Sequence, residues 1–209
     1  MIIMQFNWIK EKYGNEKIMY VISVQAHGGV EALSAVRHFI ELYEAAIKTE
    51  PDKWLFLIEG IDVLPEKFMR LYTPEIFLLV SIACKYGVDI KDPIISPYHI
   101  EVVNKYMEET GISKKVLAYL IGGLVNPIGA LGRWDFSLEE LTPEEREELE
   151  SLDFDKLHNW LLATSNKMSQ EKLKKIINDY PDKKKFIIYL GKAHTPILEN
   201  INNFLFYYI

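Results

Sequence analysis

Short, wholly apolar runs alternate along the chain with longer segments in which apolar residues recur every three or four positions. Residues 17–26 (KIMYVISVQA) are β-branched and apolar and run into His27-Gly28-Gly29, which predicts a buried strand ending in a glycine turn. Residues 30–48 carry Leu33, Val36, Ile40, Tyr43 and Ile47 on one helical stripe. Pro51-Asp52 precedes a second strand at 54–58 (WLFLI), closed by Glu59-Gly60. Thr73-Pro74-Glu75 joins a capping hydroxyl, a proline at the first helical position and an acid in the first turn. It predicts a helix to Tyr86 with Gly87 as its cap. A third strand follows at 88–90, ending near Asp92-Pro93, and a helix at 100–109 is stopped by Gly111. Thr142-Pro143-Glu144-Glu145 has the pattern of a capping box and opens a helical stretch to about Asp179, with breaks expected at 151–155 and 164–169. A fourth strand at 186–190 (FIIYL) leads into Gly191-Lys192-Ala193-His194. Thr195-Pro196 then predicts a C-terminal helix with the stripe Ile197, Ile201, Phe204, Leu205 and Tyr208.

Continuous apolar strands separated by helices predict an α/β fold: a mostly parallel sheet flanked by helices on both faces. The expected organisation is one domain over residues 1–209. A mainly helical insertion, about 100–180, falls between the third and last core strands and is a candidate cap over the site.

In open parallel sheets, ligands bind outside the carboxyl ends of the strands. Each of the four strands delivers a reactive side chain there: His27, Glu59, Asp92 and His194. Two imidazoles and a carboxylate suit two chemistries. They can hold a divalent metal such as Mn, Co or Zn and activate a bound water. Alternatively, one His acts as general base on water while Glu59 orients it or relays protons, with no metal. Glu59 is the sharpest signal, because a carboxylate abutting a buried strand must be paired or functional. Asp92 and Lys192 are expected as supporting substrate contacts; the alternative for Asp92 is a turn cap before Pro93. His38, His99 and His158 fall mid-helix or in a loop and are expected to be structural or exposed.

The Gly191-Lys192-Ala193-His194 GxxH motif, an early strand-end His and an intervening strand-end Glu together resemble the TraB/TIKI/ChaN-like superfamily, to which erythromycin-esterase-like proteins are related. The likeness covers about residues 18–200, with the first motif reading Val24-Gln25-Ala26-His27 and Arg70 downstream of Glu59. It implies hydrolase-like chemistry, protease- or esterase-like; the expected partner is a small-molecule or peptide substrate.

Composition narrows the rivals. A net charge of −6, with Lys183-Lys184-Lys185 as the only compact basic run, argues against a nucleic-acid partner. The longest charge-free stretch, residues 116–132, contains Gly122-Gly123, Asn126-Pro127 and Gly129 and falls short of a membrane span. That stretch reads as a buried helix and packed loop, or as a mobile lid bringing Arg133 and Trp134 to a substrate. Residues 1–20 place Lys10, Glu11 and Lys12 where a signal peptide needs an apolar core, so a cytoplasmic location is expected. Cys84, the single cysteine, is expected as a buried, inert thiol. A hydrolase is the leading reading. Its rivals are a ligand-binding or regulatory protein without turnover, and a structural protein whose apolar tail, residues 204–209, supplies a homodimer contact.

Overall fold

The computed structural model describes residues 17–61, 73–117, 119 and 141–209. Arg70, the glycine-rich segment at 122–129 and Arg133-Trp134 lie outside them. Five strands form one wholly parallel sheet: β1 (Lys17–Val24), β2 (Trp54–Ile58), β3 (Asp89–Lys91), β4 (Lys185–Gly191) and β5 (Phe204–Tyr208), in the order β3-β2-β4-β1-β5. The α-helices with complete bounds among the described residues are α1 (Val30–Thr49), α2 (Pro74–Tyr86), α3 (Ile100–Thr110), α4 (Pro143–Glu150) and α5 (Phe154–Asp179). The expected α/β class is what the chain adopts.

Two compact units share the chain. The first holds the described residues up to Pro93 together with Lys172–Ile209, and the second is Ile94–Glu171. In the first, α1 and α2 pack Val36, Phe39, Leu79 and Ala83 against one sheet face made by Tyr20, Ile22, Trp54, Phe56, Ile187 and Tyr189. Met19, Val21, Leu55, Leu57, Phe186 and Ile188 point to the other face and are equally buried. Burial on both faces is why these strands read as unbroken apolar runs and not as alternation. The second unit has its own core of Val102, Val103, Tyr106, Val116, Leu157 and Leu161.

Four local expectations are corrected. The C-terminal helix is absent: a 3-10 helix, Lys192–Leu198, leads to β5, which adds to the free edge of β1. Asn200 and Asn203 both take positive φ, which breaks the helix, and Phe204–Tyr208 (FLFYY) has strand propensity that the β1 edge captures. The break at 164–169 is also absent, because Ser165 and Ser169 are buried within α5 and hydrogen-bond the backbone of Ile95. Their hydroxyls read as polar interruptions but are satisfied by another segment. Cys84 is exposed: α2 turns Ile76, Leu79, Val80 and Ala83 inward, and the next residue falls off that face. Thr73 occupies the N-cap of α2, yet its hydroxyl caps nothing.

Other local signals hold. Thr142 and Glu145 form the capping box of α4, and Gly87 and Gly111 close α2 and α3. In the lysine run, Lys183 pairs with Asp89 at 2.8 Å and Lys185 with Glu50 at 2.6 Å. Two of those three charges are thus neutralised locally. No described helix is long and apolar enough to cross a membrane.

Candidate active site

The strand order reverses direction between β4 and β1. From β1 the chain crosses β4 to reach β2, whereas from β4 it crosses β1 in the opposite direction to reach β5. In open parallel sheets such a reversal point, at the carboxyl ends of the strands, is where ligands bind. His27 follows β1 there, Gly191 ends β4 with His194 in the next turn, and Glu59 follows β2 alongside. All belong to the first unit.

The three residues meet. Nε2 of His27 is 3.5 Å from Oε2 of Glu59, and Nε2 of His194 is 3.5 Å from its Oε1. The Gly191 N–H donates to Glu59 Oε2 at 2.5 Å, and the Glu59 N–H donates to the Tyr189 carbonyl at 3.0 Å, extending the β2–β4 ladder beyond the strand. Side-chain exposure grades from His27 at 33% through Glu59 at 19% to His194 at 8%. An incoming ligand therefore meets His27 first, and His194 lies deepest.

The electrostatics differ between the two rings. Contact with Glu59 raises the His27 pKa against the opposing effect of burial. Burial lowers that of His194, although Glu59 partly offsets it. Burial works to raise the Glu59 carboxyl, but His27, the Gly191 N–H and His194 together hold it below the ordinary range.

A second layer lies behind His27. Its Nδ1 is 3.1 Å from the Tyr189 hydroxyl, which donates to Glu75 Oε1 at 2.8 Å; the Gly28 N–H reaches the same oxygen at 2.6 Å. Glu75 is fully buried. Burial works to raise its carboxyl too, and the Gly28 N–H leads the contacts that hold it low. Sequence reasoning assigned Glu75 only to a helix first turn and Tyr189 only to an apolar strand. The signal was there: a buried phenol needs a partner, and Tyr189 stands two residues before the Gly191–His194 turn.

Asp92 is 3% exposed and accepts the Gly60 N–H at 2.9 Å. Gly60 has φ 82°, so Asp92 holds a left-handed turn directly after Glu59. Lys192 begins the 3-10 helix and is exposed. His38 is exposed on α1; the His99 ring caps α3 by accepting from the Glu101 N–H; His158 contacts the Tyr98 hydroxyl.

Two imidazoles and a carboxylate are a chemically apt donor set for a divalent metal. Their arrangement fits one poorly, because each ring addresses a separate oxygen of Glu59 and the Gly191 N–H already occupies Oε2. Among the described residues, no group of three or more His, Cys, Asp or Glu side chains is placed to hold a metal ion. Comparison of the chain with known families finds no family model that matches, and comparison with curated proteins and with solved structures finds no match either.

Proposed function

We propose that the protein is a hydrolase that cleaves an ester or amide bond in a small-molecule or peptide substrate by general acid–base catalysis. One observation carries the reading: two imidazoles that share a buried carboxylate are pushed apart in pKa, one up and one down. Groups of one kind driven in opposite directions are suited to be the acid and the base of one reaction. His194, held neutral, takes a proton from water as the water oxygen bonds to the substrate carbonyl carbon. His27, held protonated, gives the Nε2 proton that it shares with Glu59 to the leaving oxygen or nitrogen as that bond breaks, and keeps the Nδ1 proton that faces Tyr189. One water is consumed, and an acid and an alcohol or amine leave. Glu59 lies against both rings and offers the path by which the proton on His194 returns to His27. The order His–Glu–His along the chain agrees with the TraB/TIKI/ChaN-like resemblance, which we carry forward as part of the proposal.

The test is a panel of activated esters and short peptides, run on protein stripped with chelator and again with added Mn²⁺, Co²⁺ or Zn²⁺. Metal-independent turnover is expected, with a bell-shaped pH profile and a loss of about 10²-fold or more in both His27→Gln and His194→Gln. Full activity in His194→Gln, or turnover only with metal, overturns the mechanism. A second reading, a ligand-binding protein without turnover, is favoured by the first strand end, Val24-Gln25-Ala26-His27, which lacks the motif's glycine. Silence across the panel selects it.

A further inference from the structure

We propose that Glu75 and Tyr189 are positioning residues that hold the imidazole of His27 in its doubly protonated form and aim its Nε2–H at Glu59. The catalytic consequence rests on the acid–base reading above; the geometry does not.

Tyr189 has one hydroxyl hydrogen, and its oxygen stands between Glu75 Oε1 at 2.8 Å and His27 Nδ1 at 3.1 Å. An ionised carboxylate only accepts, so the tyrosine hydrogen goes to Glu75. The phenol oxygen is then left as an acceptor, and it faces a nitrogen that must carry a hydrogen. On the far side of the ring, Nε2 faces the Glu59 carboxylate at 3.5 Å, a second acceptor without a hydrogen to give. A neutral imidazole has one N–H and satisfies one side only. The imidazolium satisfies both.

Two features keep Glu75 ionised without solvent. It accepts the Gly28 N–H at 2.6 Å, and it sits in the first turn of α2, a helix of 13 residues, where the backbone dipole favours negative charge. The Tyr189 ring also meets the His27 ring edge-on, with centroids 5.4 Å apart, which restricts its rotation. Among the described residues, the titratable groups set about His27 are Glu59 after β2, Glu75 on α2 and Tyr189 on β4, with His194 on the other oxygen of Glu59. Both carboxylates favour the cation, and the charge on His27 joins burial in lowering the pKa of His194.

The experiment is imidazole ¹⁵N and ¹H NMR on the full chain across pH, for the wild type, Tyr189→Phe and Glu75→Gln. Tyr189→Phe keeps the ring and its packing; Glu75→Gln keeps the shape and removes the charge. Wild-type His27 is expected to carry hydrogens on both nitrogens at neutral pH and to titrate above the ordinary 6.5. In Tyr189→Phe its titration is expected to fall by roughly one pH unit, a tenfold smaller imidazolium fraction at a given pH above it. Far-UV circular dichroism and a thermal melt of each variant separate this effect from general unfolding. Unchanged titration of His27 in Tyr189→Phe overturns the proposal, as does a wild-type ring singly protonated at neutral pH. If Glu75→Gln does not fold, Tyr189→Phe alone decides. This readout needs no substrate, so failure of the hydrolase reading leaves it standing. Where turnover is found, Tyr189→Phe is expected to move the basic limb of the kcat profile to lower pH with KM unchanged.

Discussion

The backbone N–H of Gly191 lies 2.5 Å from Oε2 of Glu59, so the end of β4 holds the carboxylate that the end of β2 presents. A methyl group added at Gly191 would touch His27 Nε2 at 3.4 Å and Glu59 Oε2 at 3.5 Å, in ordinary van der Waals contact, and would cover the side on which ring and carboxylate meet. Gly191 has φ −65° and ψ 145°, which any residue adopts, so its glycine character serves the site and not the backbone. Gly191→Ala is therefore expected to fold with stability within about 1 kcal/mol of the wild type and to lose roughly 10- to 100-fold in kcat/KM. Equal activity, or a large loss of stability, would show that the glycine has a different purpose.

The opposite shifts of the two histidines predict opposite signatures in stability against pH. His27 has a raised pKa in the folded chain. Its stabilising contribution is complete below the unfolded value near 6.5 and fades as pH rises through the folded value. His194 has a lowered pKa, so the unfolded chain takes up its proton first, and stability is lost as pH falls below about 6.5. His27→Gln is expected to be most destabilising on the acid side of 6.5. His194→Gln is expected to flatten the wild-type loss on that same side. Urea midpoints measured between about pH 5 and about pH 8 check both signs, and matching profiles for the two variants would contradict the assignment.

Asp92 stands outside the reacting trio but fixes the turn that presents Glu59, through the Gly60 N–H at 2.9 Å. Asp92→Ala leaves that N–H without its acceptor and is expected to cost about 1–3 kcal/mol. Because the loosened turn displaces Glu59 and not the substrate, kcat is expected to fall with KM nearly constant. A selective rise in KM would instead make Asp92 a substrate contact, the role its strand-end position first suggested.

Local signals carried most of the fold. Four of the five strands, the capping box at Thr142 and the glycine stops of α2 and α3 rest on neighbours a few residues away, which a chain displays directly. The strand-end rule also brought His27, Glu59 and His194 to one place. Neighbours far along the chain were not legible. Ser165 and Ser169 looked like a helix break because their acceptor, Ile95, lies in another segment. Glu75 has the sequence position of a helix-dipole acid, and its partners Gly28 and Tyr189 come from other segments. Phe204–Tyr208 had both an apolar helical stripe and strand propensity, and only the vacant edge of β1 decides between them.

That edge supports a last prediction. β5 runs parallel to β1 from Lys17↔Phe204 to Val21↔Tyr208, and the ladder is closed by Lys17 N–H to the Asn203 carbonyl at 3.3 Å and Ile209 N–H to the Val21 carbonyl at 3.0 Å. Phe204 meets Phe186 edge-on at 5.1 Å, and Tyr207 stacks on Tyr20 at 5.7 Å. A chain ending at Asn200 loses these contacts and leaves the β1 donors and acceptors open along one side. Ile201 is buried and Phe204, Leu205, Phe206, Tyr207 and Ile209 are half-buried, so their loss is expected to cost roughly 1 kcal/mol each, about 6 kcal/mol in all. That is a large part of the ~5–15 kcal/mol that holds a typical domain. The bared strand is also a template for pairing between chains, so the shortened protein is expected to melt lower and to aggregate at concentrations the full chain tolerates. Thermal melts with light scattering measure both effects. A shortened chain that melts with the wild type and stays monodisperse would mean that β5 covers β1 without stabilising it.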